Sequence, residues 1–342
     1  MLGKPFHAKP PGVTLSRVAI AGSTGYSGQE LTRLLNHHKG FQLTAKIGRE
    51  DVARLGRPEG AEDLRGKVDL AFLCTPNEIS LEMAPKLLAA GIHVVDVSGA
   101  FRLQKHGYPE WYGFEHTAPE WLRRAEYALY PWKKIPAAQA GAAPRLIANP
   151  GCFPTATLMA VLPLLKSGLV DPGTLVVDAK SGTTGAGRKG DVRLLFSEIE
   201  GEFAPYKVGK HQHWPEIVEA VEAFAQKTIA PLFVTELLPT SRGISAAVFG
   251  AWTQRPASGV QALVEAFQSF YKDEPDVSVG TDPSFASMKA VANTNRVHFQ
   301  VAEAYGRPVV FSVIDNLVRG AAGQALMNGN LLAGFPVREG LA

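Results

Sequence analysis

A chain of 342 residues is long enough for two domains of roughly 150 residues each. Hydrophobic residues make up 46% and charged residues 20%, and no run approaches the about 18 uncharged apolar residues that a membrane-spanning helix needs. A net charge of +3 is too small to mark a nucleic-acid binder, and two cysteines are too few for a disulfide framework or a cysteine-rich metal site. The expected setting is a reducing cytoplasm, with a small-molecule partner and no metal, membrane or nucleic acid.

Met1 to Ser16 is basic and rich in Pro and Gly, has no acidic residue and no apolar core, and reads as a tail, not a secretory signal. Ser16 to Gly22 then reads as a buried strand. Gly22-Ser23-Thr24-Gly25-Tyr26-Ser27-Gly28 follows as a glycine-rich turn. A helix comes next over Gln29 to Asn36, with Leu31, Leu34 and Leu35 at helical spacing. Strand, glycine turn and helix together suit a dinucleotide, because glycines let a pyrophosphate approach backbone N–H groups at a helix N-terminus. A simple tight turn is the plainer alternative. The second strand, Phe41 to Ile47, ends in Lys46-Ile47-Gly48-Arg49, basic where an NAD-selective unit often carries an acid. Arg49 suits a 2′-phosphate, so NADP(H) is expected, against the alternative of a solvated basic loop. A third strand, Val68 to Cys74, leads into Thr75-Pro76-Asn77 and a helix over Glu78 to Ala90; a fourth runs from His93 to Val97. Arg102 leaves that strand's end, and its guanidinium suits bidentate contact with a carboxylate or phosphate. Gly107 to Ala143 is an aromatic, proline-broken excursion.

An apolar run, Arg145 to Ala148, leads into Asn149-Pro150-Gly151-Cys152-Phe153-Pro154-Thr155, and a helix-like run from Thr157 to Lys166 leads out. Cys152 is thus expected on a tight turn before a helix N-terminus, where N–H groups and the dipole favour a thiolate. A small buried hydrophobe is the other reading of the same residue. Pro163 should kink that helix and Gly168 should cap it. A strand over Thr174 to Lys180 runs into Ser181-Gly-Thr-Thr-Gly-Ala-Gly-Arg188-Lys189, a loop suited to a substrate phosphate. In Lys210-His211-Gln212-His213-Trp214-Pro215-Glu216, either histidine could move a proton near neutral pH; local chemistry leaves them tied. Pro215 should open a helix to Lys227. Strands follow over Leu232 to Leu238 and Ser245 to Thr253, then a helix from Val260 to Tyr271. Strands Arg296 to Glu303 and Val309 to Ile314 lead to a last helix, Ala325 to Ala333. The first half alternates strand and helix; the second is mostly strands. The fold class expected is an α/β Rossmann dinucleotide-binding domain followed by an α+β domain.

Several of these motifs resemble, as a set, those of the N-acetyl-γ-glutamyl-phosphate reductases of arginine biosynthesis, relatives of aspartate-semialdehyde dehydrogenase. They are Gly22-x-x-Gly25-Tyr26-x-Gly28, Thr75-Pro76-Asn77, Phe101-Arg102-Leu103, Asn149-Pro150-Gly151-Cys152, Ser181-Gly182, Gly185-Ala186-Gly187-Arg188, His211-x-His213-x-Pro215-Glu216, Arg242-Gly243-Ile244 and Asp315-Asn316-Leu317. The resemblance implies an NADP-binding Rossmann domain at 1–150, to which a C-terminal helix within 316–342 returns. It implies a semialdehyde-dehydrogenase-type substrate and dimerisation domain at 151–315, in a homodimer or homotetramer. The implied reaction is reversible NADPH-dependent reduction of N-acetylglutamyl 5-phosphate to the semialdehyde and phosphate. Cys152 matches the nucleophile and His211 the acid/base. Arg102, Asn149, Arg188, Glu216 and Arg242 match substrate-binding positions. Gly22, Ser23, Thr24, Gly25, Tyr26, Ser27, Gly28, Arg49, Thr75, Pro76, Ser181, Gly182 and Asn316 match cofactor-binding ones. The chain departs from the family at Tyr127 to Lys134, at Gln212 and at Trp214. These departures bear on the acyl group, and a reductase of carrier-protein-linked aminoadipyl phosphate in lysine biosynthesis is the close alternative. Two rivals of other kinds are a non-catalytic NADP-sensing protein and a hydrolytic aldehyde dehydrogenase that needs no phosphate.

Overall fold

The computed structural model describes residues 16–48, 61–104, 107–188 and 191–341, so the tail, Arg49 and Lys189 lie outside the described residues. The chain divides into two compact units. The first runs up to Gln104 and takes in His116–Asn149 and the chain from Ala322 onward; the second joins the stretch ending at Glu115 to Pro150–Ala321. Six helices of ten or more residues stand out among the described residues: α1 (Tyr26–Leu35), α2 (Asn77–Ala89), α3 (Cys152–Lys166), α4 (His213–Ala225), α5 (Val260–Phe270) and α6 (Gly323–Ala333).

In the first unit, β1 (Arg17–Ala21), β2 (Gln42–Ile47), β3 (Leu70–Leu73), β4 (His93–Asp96), β5 (Glu126–Tyr127) and β6 (Leu146–Ala148) form a parallel sheet in the order β2-β1-β3-β4-β6-β5. β3, β4 and β6 are buried at every residue; β3 and β6 are apolar throughout, β4 buries a polar residue at each end, His93 and Asp96, and edge strand β2 alternates. The order reverses between β1 and β3, and open α/β sheets bind ligands at such a switch, beyond the strands' carboxyl ends. Gly22 follows β1 and Thr75 follows β3, so both loops lie there. α6 packs on α1 and β4. Its Gly329 leaves room for the Phe72 ring, which a Cβ would approach to 2.6 Å, and the Ala138 N–H donates to Leu332 O at 2.8 Å.

The second unit is built on β7 (Val176–Ser181), β8 (Ala204–Pro205), β9 (Leu232–Leu237), β10 (Ile244–Phe249), β11 (Val277–Gly280), β12 (Val297–Ala304) and β13 (Arg307–Ile314). They form one mixed sheet in the order β11-β12-β13-β10-β7-β9-β8. α3 packs on α4, α5, β10 and β13, and every residue from Phe153 to Leu165 is buried, so it carries no polar face. Pro163 does not end it. The N–H that proline lacks would have served Met159 O, and the Tyr271 hydroxyl donates to that carbonyl instead, at 2.5 Å. Gly168 follows the helix with φ 72°, the left-handed geometry that ends helices.

α3 begins at Cys152 itself, five residues before the helical run legible from Thr157. Gly151 is extended, at φ −69° and ψ 162°, and serves as its N-cap. Cys152 is therefore the first residue of the helix and not part of the turn ahead of it.

Candidate active site

The glycine turn of the first unit is shaped by its own packing. A Cβ at Gly22, where φ is 79°, would fall 2.2 Å from Cys74 O at the end of β3, and one at Gly28 would fall 2.2 Å from Gly22 O. Those two glycines let the turn close on β3 and α1 close on the turn. Gly25 differs: the nearest atom to a Cβ there is Gly22 O at 3.4 Å. Gly25 is the N-cap of α1, no side chain caps the helix, and no acid stands in its first turn. The start of α1 thus offers N–H groups and a positive dipole end to an anion, and the residues fit a dinucleotide pyrophosphate. Thr75 is buried, its hydroxyl paired with Ser80 Oγ at 2.8 Å, and Pro76 is the N-cap of α2. Desolvation pushes the Cys74 thiol up to about 12, so this sulfur stays protonated.

Arg102 is buried in the first unit. Its Nε donates to Asn149 O at 2.8 Å and its Nη2 to Val97 O at 2.7 Å. Asn149 is buried as well: its N–H donates to Asp96 O at 2.8 Å, and its Oδ1 accepts from Asn328 Nδ2 at 3.0 Å. These contacts hold the segment that hands the chain to Pro150 and Cys152.

In the second unit, three of the sequence candidates come together. The buried Glu216, in the first turn of α4, takes the Gly151 N–H on Oε1 at 2.8 Å, fixing the residue before the nucleophile candidate. Cys152 is partly exposed and starts α3, with no acid in that helix's first turn. The Phe153 ring stands edge-on to His211 at 5.4 Å and to His213 at 6.0 Å; Tyr206 and Phe233, each 5.7 Å from the His211 ring, enclose it further. Burial, with the Lys207 charge nearby, drives His211 down to about 3, so the ring is uncharged at neutral pH. Its Nδ1 accepts the His213 N–H at 3.1 Å, which places the neutral ring's proton on Nε2. His211 thus carries its ring proton on Nε2, and the His213 backbone N–H is the donor that holds Nδ1.

A second cluster in the same unit gathers Ser181, Gly182, Arg242 and Asn316. A Cβ on Gly182 would meet Arg242 N at 2.8 Å. Asn316 Oδ1 accepts the Gly243 N–H at 2.8 Å and its Nδ2 donates to Thr184 Oγ1 at 3.0 Å. Arg242 Nη1 bridges Asp315 Oδ2 at 3.1 Å and Asn293 Oδ1 at 2.7 Å. Arg188 is exposed beyond this loop. The sequence offered no signal for Tyr206 or Phe233 as walls around His211; the adjacency of Phe153 to Cys152 was the one clue in plain view.

A family model described as the semialdehyde dehydrogenase NAD binding domain matches residues 17–140, and one described as the semialdehyde dehydrogenase dimerisation domain matches residues 152–316. The chain is 38% identical to the N-acetyl-gamma-glutamyl-phosphate reductase of Desulfotalea psychrophila, over 95% of this chain and 97% of that one. It is 39% identical to that of Thiobacillus denitrificans, over 93% and 96%. Among solved structures, a probable aspartate-semialdehyde dehydrogenase from Pseudomonas aeruginosa aligns with TM-score 0.66 at 19% identity, covering 93% of this chain and 98% of that one. Aspartate semialdehyde dehydrogenase with NADP from Candida albicans aligns with TM-score 0.67 at 13% identity, with the same coverage. At those identities the two structures speak for the fold alone.

Proposed function

The chain belongs to the N-acetyl-gamma-glutamyl-phosphate reductases of the semialdehyde dehydrogenase family, and on that premise we infer that it reduces N-acetylglutamyl 5-phosphate to the semialdehyde with release of phosphate. The observation that carries this reading is the trio Cys152, His211 and Glu216. A thiol begins a buried helix, a carboxylate fixes the peptide before it, and a neutral imidazole with a free-standing Nε2 proton lies against the next side chain.

The steps assigned to the chain's own residues are these. The first-turn N–H groups of α3 and its dipole favour the Cys152 thiolate. That thiolate attacks the acyl carbon; the C–S bond forms, the C–O bond to phosphate breaks, and phosphate leaves with the electron pair, giving a thioester. The glycine turn before α1, with Thr75 and Pro76, would hold NADP(H); when bound, its nicotinamide supplies the hydride that reduces the thioester. The resulting alkoxide oxygen receives the His211 Nε2–H as a hydrogen bond. Collapse of that alkoxide re-forms the carbonyl, breaks the C–S bond and returns Cys152 as thiolate, so His211 need not become charged in this direction. In reverse, taking the thiohemiacetal proton at Nε2 requires the ring's proton to move to Nδ1, at the expense of the His213 bond. Arg102, Asn149, Arg188, Glu216 and Arg242 are proposed around the substrate, the buried ones as supports of the segments that meet it. Ser181, Gly182 and Asn316 are proposed to shape a loop at the cofactor.

The dimerisation-domain match supports a homodimer or homotetramer, and exposed apolar side chains along the second unit, Val192, Leu195, Phe196, Phe203 and Val208, give a second copy a surface to cover. No helix among the described residues is long and apolar enough to cross a membrane. We place the reaction in the cytoplasm, where a free thiol survives.

The test is an assay of the purified protein with N-acetylglutamate 5-semialdehyde and with the corresponding aminoadipate semialdehyde derivative, with and without phosphate. NADP reduction with the first, dependent on phosphate, is the expected outcome. Preference for the second substrate, or activity without phosphate, would replace this reading by one of its rivals.

A further inference from the structure

Resting on the reading of Cys152 as the nucleophile, we propose that Gly320 is a positioning residue, whose missing side chain lets its own backbone lie against Cys152 and fix the direction of its thiol. Gly320 lies in a π turn, Val318–Ala322, and its N–H donates to Asp315 O at 3.0 Å, five residues back. Such turns are rare and frequent at functional sites. Its φ is not among the positive ones, so backbone freedom does not account for the glycine. Space does. A Cβ here would lie 2.9 Å from Cys152 Cβ, 3.2 Å from Cys152 Cα and 3.3 Å from Ile314 Cδ1. Carbon atoms rest at about 3.5–4.0 Å.

Neither side of this contact is free to give way. The π turn hangs from the buried Asp315, whose Oδ1 takes the Leu317 and Val318 N–H groups at 2.8 and 2.9 Å, and whose Oδ2 takes Arg242 Nη1 and the Asn293 N–H. On the other side Glu216 grips Gly151, and α3 is buried from Phe153 to Leu165 behind the thiol. Ile314 is buried in β13. An added methyl group therefore displaces the first turn of α3, not the tip of a long side chain. With backbone set flush against Cα and Cβ, Sγ is confined to directions leading away from the turn. A misplacement of about 1 Å at a reacting atom is enough to cost on the order of 10²-fold in rate.

A glycine needed only for packing would, when replaced, lower stability and leave the folded molecules as reactive as before. The experiment therefore uses full-length Gly320→Ala and measures the iodoacetamide labelling rate of Cys152, kcat, and the KM for NADPH. A changed labelling rate and a kcat lower by on the order of 10²-fold, at unaltered KM for NADPH, are expected. Labelling needs no substrate, so a wrong acyl assignment leaves that arm intact. A folded variant with unchanged labelling rate and kcat overturns the proposal. Should Gly320→Ala fold poorly, thermal unfolding of the double variant Gly320→Ala/Cys152→Gly decides: removing the Cys152 Cβ should restore much of the lost midpoint. Additive losses from the two changes would mean that the contact is not the cause.

Discussion

α1 and α3 start on glycines in nearly the same conformation, φ −76° and ψ 167° at Gly25 and φ −69° and ψ 162° at Gly151. Each follows a buried parallel strand, β1 or β6, and in neither does the N-cap side chain bond to the helix or an acid stand in the first turn. The surroundings differ. The turn ahead of α1 is built from small polar residues and closes on itself through Gly22 and Gly28, leaving the helix N-terminus for an arriving anion. Ahead of α3, a carboxylate from another helix takes the capping N–H, a backbone turn lies against the first residue, and the helix behind is buried from Phe153 to Leu165. One helix start is left open by the small residues around it; the other is held on both sides by Glu216 and by the backbone at Gly320.

Substitutions at the clamped end should have the largest effects. Cys152→Ala is expected to abolish turnover and leave NADPH binding near normal in a fluorescence titration. Substantial residual turnover would mean that α3 carries no nucleophile and that the two ends are alike. His211→Asn should lower kcat by about 10²–10³-fold with NADPH binding retained. His213→Asn should be milder, since its backbone N–H, and not its ring, holds His211 Nδ1. Because burial keeps His211 near 3, the pH–rate profile in the reducing direction should show no ionisation of this ring near neutrality. A neutral-range limb lost in His211→Asn would count against the donor role.

Glu216→Ala leaves the Gly151 N–H without its acceptor and should cost about 1–3 kcal/mol in urea unfolding. Glu216→Gln keeps an acceptor and should cost less. At the open end, Gly28→Ala meets backbone and should destabilise the first unit. Gly25→Ala should spare the fold and weaken NADPH binding; equal stability losses at the two positions would mean that Gly25 is as tightly packed as Gly28.

The smallest effect is the acid response. His211 has a folded value near 3 against an ordinary 6.5, so the unfolded chain takes up a proton that the folded chain refuses. That contribution is whole above about pH 6.5 and is lost as pH falls toward 3. Burial moves His38, His93, His116 and His298 the same way, whereas Asp96, raised by burial, acts in the opposite sense. Urea midpoints should therefore fall between about pH 7.5 and about pH 5. A flat response over that range would show that the His211 ring is wetter than its enclosure by Phe153, Tyr206 and Phe233 suggests.

Much of the parallel sheet could be read in the chain because strands covered on both faces are mostly apolar, as β3 and β6 are throughout. The exact start of α3 could not: a helix buried on every side has no stripe to betray its period, so Pro154 reads as a first-turn residue but Cys152 falls on the turn ahead of the helix. β5 and β8, two residues each, are too short to carry a pattern. Cys152 and His211 were legible as chemistry, a thiol at a strand-to-helix break and an imidazole in a histidine pair. What supports them was not. Glu216 meets Gly151 across 65 residues, and Gly320 meets Cys152 from the far end of the second unit, contacts that only the folded chain creates. The backbone N–H of His213 that fixes the His211 tautomer is likewise a feature that only the folded chain shows.

The return of α6 to the first unit carries a consequence for how the protein is made. The second unit's main segment, Pro150–Ala321, is continuous, while the first unit's last piece begins at Ala322. A ribosome therefore releases nearly all of the thiol-bearing unit before it has finished the nucleotide-binding one. Until Gly329 and Leu332 emerge, Phe72 lacks its neighbour on α6 and Ala138 lacks its carbonyl acceptor. The domain that begins first in the chain is the one completed last.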